Sequence, residues 1–314
     1  MPAPQDGERS LALPTVPADG TRREASQITP PSSWVSPRLR LTLRQLRKSK
    51  SAMFGAVIVC LVLLTALLAD FIAPYDPTEM FHQRRLEWPS ATYWMGTDQM
   101  GRDVFSRIIH GSRVSLFVGI VSISFAILLG LPLGFCAGYY GGAVDNVIMR
   151  LMDIWISFPI FLLALVIMAI LEPSVNNVAL ALAIVQVPVF ARIVRGTTLS
   201  VKENDYVEAG RAVALPDSRL IMRYILPNCF APIIVLATVS IGVAIIVEAG
   251  LSFLGMGAQP PTPSWGYDLK ANLVFIEDNP WIAISPGLAI FFTVLGLNMF
   301  GDGLRDALDP RLKE

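Results

Sequence analysis

Long apolar stretches alternate with short polar stretches along most of this chain. A run of about 20 apolar residues is long enough to cross a lipid bilayer as a helix. The pattern therefore predicts an all-α, polytopic membrane protein with six spanning helices. The predicted spans are Ala52–Ala73, Val114–Tyr139, Ile154–Leu171, Val178–Phe190, Ala231–Leu254 and Trp281–Phe300.

The composition agrees with a chain that lies partly in lipid. Hydrophobic residues make up 53% of the 314 positions and charged residues 16%, whereas about 25% charged residues is usual in soluble domains. The formal net charge is zero, so the chain has no overall attraction for nucleic acid. Three cysteines in or beside apolar stretches and two distant histidines, His82 and His110, predict neither a disulfide framework nor a metal site.

The polar segments divide the chain into four parts. Residues 1–37 are rich in Pro, Ser and Thr, and we expect a disordered cytosolic tail there. Residues 38–113 hold a basic segment, the first span and a long outer loop. Residues 114–305 form the predicted core domain with five spans and a long inner loop, and 306–314 form a cytosolic C-terminal tail.

Positive charge is unevenly distributed between the loops, and this predicts the orientation. Six basic residues precede the first span and six follow the fourth, so these segments and both termini are predicted to be cytoplasmic. The predicted outer loop Glu172–Asn177 has no basic residue, and Gly257–Pro280 has only Lys270. The outer loop Pro74–Arg113 conflicts with the rule because it carries five arginines: Arg84, Arg85, Arg102, Arg107 and Arg113.

Small residues recur at helical spacing inside the second predicted span. Gly130, Gly134 and Gly138 are four residues apart, so they share one helix face and let a neighbouring backbone approach closely. Tight helix packing is therefore expected. A hinge at Pro132, which removes one backbone hydrogen bond, is the alternative.

The fifth predicted span carries a stripe of small and polar residues, Ser240, Ala244, Glu248 and Ser252. Glu248 is the only acid well inside a span, and charged groups cost at least about 2.5–3.5 kcal/mol in hydrocarbon. It could line a translocation path with Ser240 and Ser252 and meet a cationic part of a substrate. It could equally fix helices or a partner subunit through an ion pair or hydrogen bond. The sequence leaves both interpretations open.

The longest predicted inner loop, Arg192–Pro227, has helix signals of its own. Asp205 is a candidate N-cap, and Glu208 three residues later would complete a capping box. A short helix over Tyr206–Leu215 would then end before Pro216.

This short helix is thin and has charged edges. The helix has little side-chain bulk at Ala209, Gly210, Ala212 and Ala214, while the side chains of Glu208 and Arg211 supply charge. Such a helix is suited to a groove in another protein. A connector that rests on lipid headgroups is the alternative.

The segment Glu208–Pro227 resembles the EAA loop of permeases in ATP-binding-cassette (ABC) importers. More narrowly, the chain resembles the C-type permease subunit of bacterial dipeptide and oligopeptide importers, a binding-protein-dependent transport inner-membrane component. Gly210 replaces an alanine of the family pattern, and Ala214 replaces a glycine. Other matching stretches are Met95–Arg107, Gly138–Gly142, Asp153–Pro159, Leu251–Gly266 and Gly301–Arg311.

The resemblance implies the transmembrane-domain fold of type I ABC importers in the bacterial inner membrane. Such a permease pairs with a second homologous permease, two cytosolic ATPases and an external substrate-binding protein. The chain has no G-x-x-x-x-G-K-[ST] motif, so we expect a non-catalytic subunit without a cofactor, with ATP and magnesium bound by the ATPases. The residues expected at the ATPase contact are Asp205, Tyr206, Glu208, Ala209, Gly210, Arg211, Ala212, Ala214, Leu215, Pro216 and Asp217.

The outer loop Gly257–Pro280 contains four prolines, Gln259 and Trp265. We expect it to fold over the outer mouth of a translocation path, and a flexible connector is the alternative. The resemblance favours peptide as substrate, with nickel or glutathione as alternatives of the same transporter type. A secondary carrier would need several ionisable groups at the membrane midplane, and this chain offers only Glu248.

Overall fold

The computed structural model describes residues 44–308, and within that range the chain is helical with no β-strand. The predicted tail 1–37 lies outside the described residues, as do the last residues, 309–314. A short helical segment, 44–48, precedes the first long helix.

The helices are α1 (Lys50–Leu67), α2 (Ala69–Ile72), α3 (Val104–Tyr140), α4 (Gly142–Ile156), α5 (Ile160–Ile170), α6 (Val175–Lys202), α7 (Asp205–Ala212), α8 (Asp217–Leu220), α9 (Leu226–Phe253), α10 (Trp265–Leu273) and α11 (Trp281–Leu308). A π-helical turn, Ile221–Ile225, joins α8 to α9. By length and composition α1, α3, α6, α9 and α11 can each cross a membrane, and α4 with α5 adds a sixth crossing if the pair is one bent span.

The third predicted span is wrong as a single helix. The chain breaks between α4 and α5, which meet at 87°, and Pro159 is the N-cap of α5. Proline removes a backbone donor and disfavours helical geometry in the residue before it, which favours a helix end at this point of the apolar run.

The helix that contains the fourth predicted span, Val178–Phe190, continues beyond it. Its predicted end lay before Arg192 because arginine is rare in membrane segments, but α6 continues to Lys202. The two arginines of this last part pair with acids on α4: Arg192 Nη2 lies 2.7 Å from Asp153 Oδ1, and Arg195 Nη2 lies 2.5 Å from Asp145 Oδ2. The inner loop therefore begins after residue 202.

The glycine face of α3 packs directly against α6, which confirms the predicted close approach. A Cβ atom on Gly130 would lie 2.8 Å from the carbonyl oxygen of Val187. At Gly134 it would overlap the backbone of Ala191. We call this contact the glycine seam. Helix α3 runs without a break through Pro132.

The long helices place two groups of polar segments at opposite ends of the bundle. We call the end that carries residues 74–103 and α10 the cap end, and the end that carries α7 and α8 the loop end. In the cap, Gly96 and Gly101 have φ values of 76° and 78°, and a side chain at Gly101 would overlap the carbonyl group of Phe81. These turns fold residues 74–103 back onto the start of α3.

Besides the exposed pair of Arg84 with Glu87 at 3.9 Å, three of the five arginines that conflicted with the charge rule are neutralised by acids at the cap end. Two of these pairs are almost fully buried, so little of their charge faces solvent. The three contacts are Arg102 Nε to Asp98 Oδ2 at 2.7 Å, Arg107 Nη2 to Asp268 Oδ1 at 2.5 Å and Arg113 Nη1 to Asp70 Oδ1 at 2.9 Å.

Candidate functional site

The short helix α7 stands at the loop end, close to its predicted position. The predicted capping box is wrong, because Asn204 is the N-cap and makes no side-chain capping bond, while Asp205 is the first helical residue. Asp205 and Glu208 both lie in the first turn, where negative charge complements the positive end of the helix dipole.

The C-terminal end of α7 is a tight turn. The amide of Leu215 donates to the carbonyl of Gly210 at 3.1 Å, and the amide of Ala214 donates to the carbonyl of Arg211 at 2.9 Å. This pair of bonds is typical of helices that end in a left-handed residue, and Ala214 has a φ of 54°. Glycine adopts that conformation without strain, which gives a physical reason for the family glycine at this position.

One face of α7 is buried and holds the helix in place. Val207 is fully buried, and Gly210 is buried beneath Leu220. A Cβ atom on Gly210 would lie 2.6 Å from Leu220 Cδ2. The glycine that replaces the family alanine therefore provides room for a core side chain as well as softening the helix.

The opposite face of α7 is exposed. Glu208 and Arg211 are exposed on it, and Tyr206 is 45% exposed. Val213, which sequence reasoning did not select, is 71% exposed at the tip of the turn. The sequence did offer one indication that Val213 belongs to the site, because it lies between Ala212 and Ala214 in the segment that resembles the family loop. The remaining predicted residues fall on the same surface or its edge: Ala209, Ala212, Ala214, Leu215, Pro216 and Asp217.

Hydrogen bonds connect this loop to the longest helix. The hydroxyl of Tyr139, at the end of α3, donates to Asp217 Oδ1 at 2.5 Å. Lys202 Nζ donates to the carbonyl oxygen of Tyr139 at 2.6 Å. Sequence reasoning missed Tyr139, because the contact joins residues 78 positions apart in the chain. These contacts fasten the loop to the end of α3.

The second group of candidate residues surrounds Glu248, near the cap end of α9. Glu248 is 1% exposed. Its Oε1 accepts hydrogen bonds from Ser252 Oγ at 2.7 Å and from Ser264 Oγ at 3.3 Å, and its Oε2 accepts from Ser115 Oγ at 3.0 Å. Ser240, lower on α9, is buried but lies two helical turns away from this cluster. The serines of α3 and of the loop before α10 were not identified from the sequence.

The segment after α9 folds back onto the bundle. Gln259 Nε2 donates to the carbonyl oxygens of Gly255 and Gly257 at 3.0 and 3.1 Å, which closes a turn. Trp265, 2% exposed, donates from Nε1 to the carbonyl oxygen of Ile108 on α3 at 2.8 Å. The predicted outer loop is therefore an ordered segment that contains helix α10.

The Asp70 contact ties α2 to α3 at the edge of the cap. The hydrogen bond from Arg113 is the largest effect and holds the pKa of Asp70 below its usual 3.8. Desolvation opposes this shift, and the charge of Arg113 and the hydrogen bond and charge of His110 add to it. At Asp268 burial raises the pKa, and the charge and hydrogen bonds of Arg107 oppose that shift.

Comparison with known proteins identifies relatives over most of the chain. Residues 130–314 match the family model "Binding-protein-dependent transport system inner membrane component", and residues 37–89 match "N-terminal TM domain of oligopeptide transport permease C". The dipeptide transport system permease protein of Alkalihalophilus pseudofirmus is 45% identical over 91% of this chain and 93% of its own length. The glutathione transport system permease protein of Pectobacterium atrosepticum is 44% identical over 86% of this chain and 90% of its own.

A solved structure has a similar fold. One chain of the MetNI methionine ABC transporter, in an inward-facing conformation, aligns with a TM-score of 0.54 at 16% sequence identity. The alignment covers 65% of this chain and 97% of that one. At this identity the likeness concerns the fold alone.

Proposed function

Since the chain belongs to the family of binding-protein-dependent transport system inner membrane components, we propose that it is one permease subunit of an ATP-driven importer of di- and oligopeptides. It works with a second homologous permease, two cytosolic ATPases that bind ATP and magnesium, and an external substrate-binding protein. The observation that carries the proposal is α7: a short helix with one buried face and one exposed, charged face at the end of a membrane bundle.

Helix α7 is the proposed contact with an ATPase. Its exposed face offers a carboxylate, a guanidinium and the apolar side chain of Val213 to a groove, which is a common arrangement for a helix that docks on another protein. Its buried face is fixed by Val207, and Asp217 is bonded to Tyr139. A push on α7 by ATP-driven closure would therefore move α3 and α6 and alter access to the path.

The proposed orientation places the loop end and both termini in the cytoplasm and the cap end outside. The basic residues before α1 and after residue 202 support it through the positive-inside rule. The arginines of the cap no longer oppose it, because Arg102 and Arg107 are buried in ion pairs. The bilayer is then the bacterial inner membrane.

The translocation path is proposed to run beside α9, with α10 at its outer mouth. Ser240, Glu248 and Ser252 are buried within the chain, so they support the wall of the path. Trp265 holds the returning segment against α3, and Gln259 closes the turn that follows α9. The mouth would thus be a rigid surface that can receive an external binding protein.

Peptide is the proposed substrate because three of the relatives are named as dipeptide or di/tripeptide permeases, including one from Pseudomonas aeruginosa that is 44% identical over 84% of this chain. Glutathione, itself a tripeptide, is the alternative that the glutathione permease relatives favour. The discriminating measurement is uptake of labelled dipeptide against labelled glutathione by vesicles that contain the complete transporter and its binding protein.

The coupling proposal is tested by charge reversal on α7. In the reconstituted complex, Glu208→Arg should leave assembly and ATP hydrolysis in place while uptake falls by about tenfold or more, because the docking face no longer matches its groove. Glu172→Arg is the matched control, since Glu172 is an exposed acid in the turn between α5 and α6, away from both α7 and the proposed mouth. Normal uptake by Glu208→Arg, or equal loss in both variants, would contradict the proposal.

A further inference from the structure

Helix α10 begins without the usual side-chain cap. Its N-cap residue is Ser264, whose hydroxyl makes no bond to the helix backbone. Instead, Ser264 Oγ donates to Oε1 of Glu248 on α9 at 3.3 Å. Both residues are almost fully buried, at 0% and 1% exposure. The carboxyl group of α9 is therefore directed at the start of α10.

The first turn of α10 lies directly on the backbone of α9. A Cβ atom on Gly266 would lie 2.7 Å from Cα of Ala249, closer than atoms can approach without strain. The preceding turn is equally close, because a Cβ atom on Gly257 would lie 2.9 Å from Cα of Ser252. The first backbone N–H groups of a helix lack partners within the helix and carry a partial positive charge, which suits a neighbouring carboxylate.

The remaining contacts of Glu248 leave little capacity for a substrate. Besides Ser264, its oxygens accept from Ser252 on α9 and Ser115 on α3. Among residues 44–308 the hydrogen-bond partners of this carboxyl group are three serine hydroxyls on three different segments, and the group is sealed from solvent. Three hydroxyl donors thus satisfy both oxygens of this carboxyl group without an external cation.

We propose that Glu248 is a positioning residue that fixes the start of α10 through Ser264, and that it makes no contact with the transported substrate. The proposal rests on the import function in one respect, namely that α10 shapes the outer mouth. Glu248 then fixes the shape of the outer mouth that the arriving substrate meets, and other residues recognise the charge of the substrate.

The position of α10 is measured with a spin label on Thr262→Cys, an exposed site two residues before the N-cap, in a complex whose Cys60 and Cys136 are replaced by serine. Glu248→Ala and Ser264→Ala should both increase the mobility of this label. Ser115→Ala removes a different donor from the same carboxyl group and is the matched control, with no increase expected. Ser264→Ala keeps the test decisive if Glu248→Ala fails to fold.

Uptake separates positioning from substrate contact. Glu248→Gln keeps the shape and an acceptor for Ser264, so uptake of neutral and of cationic dipeptides should both remain within about twofold of the parent, whereas Glu248→Ala should lower both by about tenfold. A loss confined to cationic dipeptides in Glu248→Gln, or an unchanged label in both alanine variants, would overturn the proposal. If the parent complex imports no peptide at all, the proposed function fails, while the label measurement still decides the role of Glu248.

Discussion

The glycine seam makes a quantitative prediction about a single methyl group. In Gly134→Ala the new Cβ atom would lie 2.9 Å from Cα of Ala191 and still closer to its carbonyl oxygen. Backbone atoms cannot rotate away as a side chain can. Helices α3 and α6 must therefore separate, and the contacts along the whole seam weaken.

The magnitude follows from two opposing effects. Overpacking of a well-packed interior costs about 1–3 kcal/mol, and the upper part of that range applies because the obstacle is backbone. Replacement of glycine by alanine in a helix returns about 0.5–1 kcal/mol. The net loss in the free energy of unfolding is about 1–2 kcal/mol, which lowers the unfolding midpoint by about 2–8 °C for a chain of this size.

The assay uses Cys229 as an internal reporter of unfolding. Cys229 is fully buried, and a thiol-reactive fluorophore reaches it only when the bundle opens. Cys60, which is exposed, and Cys136, which is partly buried, are first replaced by serine in the parent protein. The control is Gly196→Ala on the same helix pair, because a Cβ atom there meets nothing within 4 Å.

The two variants should shift the midpoint in opposite directions. Gly196→Ala gains helix propensity without a clash, so its midpoint should rise by about 1–4 °C. An unchanged or raised midpoint for Gly134→Ala would refute the close approach of α3 and α6. A fall of equal size in both variants would show that glycine is needed for flexibility rather than for contact.

Two further predictions concern the ion pairs of the cap. Arg107→Met leaves Asp268 buried and uncompensated, so the free energy of unfolding should fall by about 3–5 kcal/mol. Because burial raises the pKa of Asp268, this loss of stability should grow as the pH rises above about 4. The double variant Arg107→Met with Asp268→Leu should recover most of the lost stability in the same thiol assay. Arg113 lowers the pKa of Asp70, so the stability that this ion pair contributes is complete above the unfolded-state pKa of 3.8 and is lost as the pH falls through the lower folded-state pKa. Asp70→Asn should remove this loss of stability in acid. An identical dependence of stability on acid pH in both proteins would contradict the prediction.

The hydropathy pattern predicted a helix correctly wherever one apolar run corresponds to one long helix. It failed at α6 and at the α4–α5 bend, for different reasons. The sequence predicted a loop at Arg192 and Arg195 because the carboxylates that pair with them lie on α4, about 40 to 50 residues away in the chain. Pro159 was visible in the sequence, but an apolar run on both sides of it obscured the break.

The candidate site was predictable to the extent that it is local. The exposed face of α7 follows from a short helix of alternating small and charged residues. The Glu248 cluster was not predictable, because Ser115 and Ser264 are 133 and 16 residues from Glu248 in the chain. The sequence identified an acid that needed partners, and only the packing of α3, α9 and α10 identified which groups they are.

Helix α3 has a mechanical consequence because both of its ends are fastened. It contains 37 residues and is roughly 55 Å long at 1.5 Å per residue. Near one end Arg107 is bonded to α10, and at the other Tyr139 is bonded to Asp217, with the glycine seam between them. It can act as a lever with its fulcrum at the seam, and because Gly134 lies near the C-terminal end, a tilt of about 5° would displace the start of α3 by about 4 Å and its end by about 1 Å in the opposite direction.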